Sequence, residues 1–192
     1  MIPLQLREIL QQIGGRLIHG QEDPLIKNVV NRTKKEIDNH TLLFHVKRDP
    51  IRGRYWSDKH SIAVVTDVPG QCTQLPDQIS MIEVKDVHEA YWRFIDYYRG
   101  IFNIPVIGVS GTCGKTTTKE MIAQILEHEY NIESTWMSMN SMSVNLRYLM
   151  RLKKETDMAV YEMPVAYPGY LKIACRYFKP QIRILLNIDV HH

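Results

Sequence analysis

The sequence is poor in cysteine, with three in 192 residues. Cys72, Cys113 and Cys175 are an odd number and show no metal-ligand spacing, which argues against a disulfide framework or a zinc module. Long hydrophobic runs are also missing: no stretch reaches the ~18 apolar residues that a membrane helix needs. No signal peptide is expected, because Arg7 and Glu8 interrupt the apolar set Leu4, Leu6, Ile9 and Leu10. Internal repeats and low-complexity tracts are absent. Charge of one sign is scarce as well, with 24 Lys and Arg against 21 Asp and Glu, a net +3. The densest basic group, Arg32, Lys34 and Lys35, is followed at once by Glu36 and Asp38, so no nucleic-acid surface is expected. Together these absences predict a reduced, cytoplasmic protein with no membrane and no nucleic-acid partner.

What is present suits a packed core: 44% of residues are apolar and 23% charged, and the length allows one large or two small domains. From Leu4 to Ile13 the apolar positions fit a short helix stopped by Gly14-Gly15. Apolar runs follow at Ile26 to Val30, Leu42 to Val46, Ile62 to Val65 and Met81 to Val84, which predicts a small α/β domain over residues 1–100. Asp86 and Glu89 form a capping pair, after which Val87, Ala90, Tyr91, Phe94, Ile95 and Tyr98 recur at helical spacing as far as Gly100. The aromatics Tyr91, Trp92, Phe94, Tyr97 and Tyr98 mostly share one face, so packing between domains is expected rather than a base-stacking platform.

Beyond Gly100 the pattern alternates. Strands are expected at Ile104 to Val109, Ile132 to Trp136, Met158 to Tyr161 and Ile182 to Leu186, with helices near Lys115 to His128, Ser141 to Leu152 and after Pro168. Such βαβ alternation predicts a parallel sheet over residues 101–192, with ligands at the carboxyl ends of its strands. The fold class is therefore α/β, a small N-terminal domain followed by a P-loop-type parallel-sheet domain.

The stretch Val109-Ser110-Gly111-Thr112-Cys113-Gly114-Lys115-Thr116-Thr117-Thr118 joins the first of these strands to its helix. Glycines let backbone N–H groups approach phosphate oxygens, and the dipole of the helix favours the anion. Lys115 can span the terminal phosphates, and the Thr116 hydroxyl can hold Mg²⁺. The strict spacing G-x-x-x-x-G-K-[ST] would place glycine at position 109, where Val109 stands instead. Glu162 follows the apolar strand Met158 to Tyr161, where an acidic residue can ligate Mg²⁺ directly or through water. Asn187, Asp189, His191 and His192 end the last strand, again on the carboxyl side.

Three blocks resemble the Mur ligase family, the ATP-dependent amide-forming enzymes of peptidoglycan synthesis. Ile107 to Thr118 is similar to I-x-x-T-G-T-N-G-K-T-T-T, in which the position of Val109 is often not glycine. Glu162-Met163-Pro164-Val165-Ala166-Tyr167-Pro168-Gly169 is similar to E-M-G-A-x-x-P-G-E. Lys179-Pro180 through Asn187-Ile188-Asp189-Val190-His191-His192 is similar to R-P-D-x-x-x-x-T-N-I-x-x-x-H. Within the family these blocks are most similar to the branch that adds D-alanyl-D-alanine to a UDP-muramoyl tripeptide.

The resemblance implies that ATP passes its γ-phosphoryl group to a substrate carboxylate and that an amine then attacks the acyl phosphate. Carried over residue by residue, it implies catalytic roles for Lys115, Glu162 and His192. Nucleotide contacts fall on Gly111, Thr112, Cys113, Gly114, Lys115, Thr116 and Thr117. Thr116 and Glu162 would hold one Mg²⁺, and Glu162 with His192 a second. The expected partners are ATP, a small acidic substrate such as a UDP-muramoyl peptide or another carboxylate, and an amino-acid or dipeptide amine.

Departures from the family pattern bear on the substrate. Cys113 stands in place of Asn, although only its backbone amide is needed for phosphate. Asn31-Arg32-Thr33 lies where the uridine-handling D-S-R is usual, and the run Leu42-Leu43-Phe44-His45-Val46 lacks the family's polar loop. Met163-Pro164 replaces Met-Gly, and Asn140-Ser141-Met142-Ser143-Val144-Asn145 keeps one asparagine of the substrate loop. The sequence stops at His192, about halfway through the central domain that the resemblance implies. It is therefore expected to be a piece or a truncated product that does not ligate alone; the alternative is a non-catalytic ATP-binding relative. A guanine-specificity motif of the N-K-x-D kind is absent, which argues against a GTPase.

Overall fold

The computed structural model describes residues 1–31, 37–136 and 142–189, without the side chains of Tyr55, Met142 and Ser143. It divides into two compact units, Met1–Tyr97 and Tyr98–His192.

The first unit opens with β1 (Leu4–Gln5) and α1 (Leu6–Ile13). Leu6, Ile9 and Ile13 recur every three to four residues, so one face of α1 is buried. The helix ends as the sequence predicts, with Gly14 at φ 73° returning its N–H to Leu10 O at 2.9 Å. Next come β2 (Arg16–His19), β3 (Leu25–Ile26), β4 (Asn28–Val30), β5 (Thr41–Phe44), β6 (Ile51–Arg52), β7 (Ile62–Thr66), β8 (Cys72–Thr73) and β9 (Ile79–Glu83). Five of these strands form a sheet in the order β2-β9-β7-β5-β4. Its pairings are parallel except for β2 against β9. Every residue of β5 and β7 is buried, as central strands covered on both faces require. β2 was not expected: its alternating half-buried pattern and four-residue length leave little hydrophobic signal.

Helix α2 (Val87–Gly100) contains the boundary between the units. Asp86 Oδ1 caps it by accepting from His88 N at 2.7 Å and Glu89 N at 3.0 Å. The expected reciprocal contact is replaced by an ion pair of the Glu89 carboxylate with Arg93 one turn on. Asp67 adds a second cap, accepting from Val87 N at 3.1 Å while pairing with Arg48 at 2.6 Å. That guanidinium holds the Asp67 carboxyl down at about 2. Of the aromatics of α2, Tyr91, Phe94 and Tyr98 are buried. Tyr91 and Phe94 pack on Phe44 at 5.3 and 5.4 Å in the first unit, and Tyr98 packs on Phe102 at 5.3 Å in the second.

The second unit follows the alternation read from the sequence: β10 (Val106–Ser110), α3 (Lys115–Leu126), β11 (Ile132–Ser134), α4 (Met142–Arg151), β12 (Met158–Glu162), α5 (Tyr170–Phe178) and β13 (Ile182–Leu185). The strands make one parallel sheet in the order β11-β12-β10-β13. Register sets Val109 opposite Glu162 and Ser110 opposite Leu185, so β10, β12 and β13 end level with one another. Tyr161 is fully buried and stacks on Phe178 with ring centroids 4.1 Å apart. Arg99, 4% exposed, donates to the carbonyls of Phe178 at 2.8 Å and Phe102 at 2.7 Å, fastening the start of this unit to the end of α5. No helix among the described residues is long and apolar enough to cross a membrane.

Candidate functional site

At the carboxyl edge of the second sheet the chain leaves β10 through Gly111 and enters α3 at Lys115. Two glycines make this turn possible. Gly111 has φ 142°, and a Cβ there would lie 3.2 Å from the backbone N and O of Asn187. Gly114, at φ 79°, is the left-handed residue preceding the helix. The first amides of α3 have no acceptor in the helix until Thr118 N bonds Gly114 O at 3.0 Å, so this N-terminus is a set of outward donors backed by the helix dipole.

The loop is braced from the segment that follows β13. Asn187 Oδ1 accepts from both Thr112 N and Cys113 N at 2.9 Å, while its Nδ2 donates to Cys113 O at 3.2 Å. Asp189 N donates to Thr112 Oγ1 at 3.0 Å. The amides of Thr112 and Cys113, expected to reach phosphate, are therefore engaged within the protein. Lys115 Nζ donates to Thr112 O at 3.2 Å, across the mouth of the same turn. Cys113 itself is exposed.

The structure brings Thr116 and Glu162 together. Thr116 Oγ1 donates to Glu162 Oε2 at 2.7 Å, joining the first turn of α3 to the end of β12. Glu162 is 2% exposed, and its N donates to Thr135 Oγ1 at 3.0 Å. A hydroxyl and a carboxylate converging beside a helix N-terminus are hard oxygen donors of the kind that suits Mg²⁺. No group of three or more His, Cys, Asp and Glu side chains able to hold a metal occurs among the described residues. His191 and His192 lie outside the described residues, as do Arg32 and Thr33 and the start of the Asn140 to Asn145 loop.

Beside the loop is a cavity of about 600 Å³ lined by Gly111, Thr112, Lys115, Pro164, Val165, Leu171, Asn187 and Asp189, among others. The turn after Glu162 thus forms one wall, with Ser110 Oγ donating to Met163 O at 2.9 Å to fix its start. In β12, one residue before Glu162, burial pushes the phenol of Tyr161 well above its ordinary range.

Residues 109–192 match the Mur ligase middle domain. Those residues carry the chain's similarity to the Mur ligase family. Over 97% of its length it is 31% identical to the UDP-N-acetylmuramoyl-tripeptide–D-alanyl-D-alanine ligase of Synechocystis sp.. Over its full length it is 27% identical to the enzyme of the same name from Bacillus subtilis. The chain spans 41% and 42% of those two relatives. In fold it is similar to MurF from Acinetobacter baumannii, with a TM-score of 0.74, 20% identity and coverage of 99% of this chain and 42% of that one. It is also similar to the MurF ligase of Thermotoga maritima solved in complex with ADP, with a TM-score of 0.59, 24% identity and coverage of 84% and 37%. These likenesses agree with the α/β fold and with the resemblance carried by the Ile107, Glu162 and Lys179 blocks.

In the sequence Asn187 stands only at a strand end, and its bracing of the glycine loop emerges from the fold. Its partners lie 74 and 75 residues upstream, so no local pattern exposes the contact. Thr135 and Lys119, which stand behind Glu162, were missed as well. A lysine within a helix carries no outward sign of burial.

Proposed function

We propose that the second unit binds ATP with Mg²⁺, and that the chain supplies the nucleotide-binding part of a ligase joining a carboxylate to an amine in cell-wall precursor synthesis. The observation that carries this reading is the 2.7 Å contact of Thr116 with Glu162 beside the glycine-loop helix N-terminus. The outward amides of the first turn of α3 would receive phosphate oxygens, and Lys115, released from Thr112 O, would neutralise charge on the β- and γ-phosphates. Gly111 and Gly114 keep the backbone close enough for this. Thr112 and Cys113 would contribute by holding the loop's shape through Asn187. Thr116 and Glu162 would hold Mg²⁺, which when bound offsets phosphate charge during transfer. His192 is proposed with Glu162 for a second Mg²⁺.

The carboxylate substrate, a UDP-muramoyl peptide or a related acid, is assigned to the cavity walled by Pro164, Val165 and Asp189. Names of the relatives support D-alanyl-D-alanine as the amine. Titration of the chain with a fluorescent ATP analogue tests the reading. Binding should strengthen with Mg²⁺, Lys115→Ala should weaken it at least about tenfold, and Glu162→Gln should remove the Mg²⁺ dependence. Wild-type affinity in Lys115→Ala would overturn the assignment. Binding without amine-dependent ADP release by the full gene product would favour the non-catalytic alternative.

A further inference from the structure

We infer that Lys119 is a positioning residue for the cation site, acting through Thr135 to fix where Glu162 presents its carboxylate to Thr116. The inference rests on the reading of Thr116 and Glu162 as Mg²⁺ ligands. Lysines on helices normally keep the ammonium in water while burying only the stem. Lys119 is 0% exposed. Burying an ammonium is costly unless it is paired and hydrogen-bonded. Its partners are specific: Nζ donates to Thr135 O at 2.6 Å and to the carboxylate of Glu120.

Thr135 lies one residue beyond β11 and is 1% exposed. Its Oγ1 accepts from Glu162 N at 3.0 Å, and its own N donates to Val160 O at 3.4 Å. Glu162 then closes the circuit back to α3 by accepting from Thr116, three residues before Lys119. The ring of contacts runs from α3 to the end of β11, across to the end of β12, and back to α3. Within it, Lys119 holds the Thr135 carbonyl and the Thr135 hydroxyl holds the Glu162 backbone, so the direction of the Glu162 carboxylate depends on both. An apolar residue at position 119 would fill the same space with no desolvation cost and would leave this ring open.

The test is a titration of this chain with a fluorescent ATP analogue, in EDTA and then across a Mg²⁺ series. Lys119→Met keeps the stem and removes the donor. Thr135→Val keeps the shape and removes the hydroxyl, whereas Thr135→Ser restores it. Lys119→Met and Thr135→Val should each raise the Mg²⁺ concentration for half-effect about tenfold, while affinity in EDTA stays within about twofold of wild type. Thr135→Ser should behave as wild type. If Lys119→Met does not fold, the valine and serine variants decide alone. Wild-type Mg²⁺ dependence in the first two variants overturns the inference, and so does a parallel loss of affinity in EDTA, which would mark general destabilisation. A wild-type chain with no Mg²⁺-dependent binding would remove the site itself, and with it both readings.

Discussion

Replacing Asn187 with alanine asks whether the brace on the glycine loop serves ligand binding or competes with it. The substitution deletes three hydrogen bonds, from Thr112 N and Cys113 N at 2.9 Å and to Cys113 O at 3.2 Å. The backbone bond from Thr112 N to Asn187 O at 3.1 Å remains. A hydrogen bond contributes about 0.5–1.5 kcal/mol net, and these groups are solvent-accessible, so each is taken near the lower end. The sum, about 1.5–2 kcal/mol, is the ordering that the loop would have to recover on binding. If the loop must hold its shape to receive phosphate, nucleotide affinity should fall about tenfold with little change in melting temperature. Asn187→Asp keeps both amide acceptors but sets a negative charge beside the phosphate position, so it should weaken binding further. Fluorescence titration with an ATP analogue measures the affinities, and amide hydrogen exchange at Thr112 and Cys113 measures the loop. Unchanged or tighter binding by Asn187→Ala would refute the reasoning, because the two amides would then be better employed on the ligand.

Two further outcomes test the fold around the site. Tyr161 Oη is buried and has no hydrogen-bond partner among the described residues, so Tyr161→Phe should stabilise the second unit by about 1 kcal/mol and raise its melting temperature by a few degrees. A loss of stability in calorimetry would count against that. Asp67 has its folded pKa lowered from 3.8 to about 2 by the Arg48 bond, followed by the Val87 amide. Because the folded value is depressed, its stabilising contribution is complete above about pH 5, declines as pH falls through 3.8 towards 2, and is absent below that. Asp67→Asn should therefore cost ~1–2 kcal/mol at pH 7, with Arg48 half-exposed and partly screened, and the gap from wild type should close in urea melts run towards pH 2.

Much of the second unit was legible because its strands are apolar runs at the spacing that βαβ units impose, and α3 and α5 begin where Gly114 and Gly169 interrupt those runs. Glu162 was found for the same reason: a carboxylate directly after Met158 to Tyr161 must stand at the sheet's carboxyl edge, and Val109 pairs with it across β10. Helix α3 shows the limit of such reading. Its Met121 and Ile125 are 57% and 68% exposed, while Lys119 is buried, so hydrophobic type gives the wrong inward positions. The tertiary demand for a donor at the end of β11 overrides the pattern. In the first unit, β1 and β3 are two-residue ladders with no periodicity to detect. On α2 the helical spacing marks Tyr91, Phe94 and Tyr98 as inward positions, but it does not say that their partners change from Phe44 to Phe102 along the helix.

The separation between the glycine loop and Asn187 has a consequence for folding. A loop braced from 75 residues away does not exist in nascent or partly unfolded chains, whatever its local glycine geometry. If the loop holds a nucleotide as proposed, that competence arises only when β10 and β13 have paired, and bound nucleotide would report the sheet's closure. A ligand that recognises only that closed state also adds to its stability in proportion to the logarithm of its concentration above Kd.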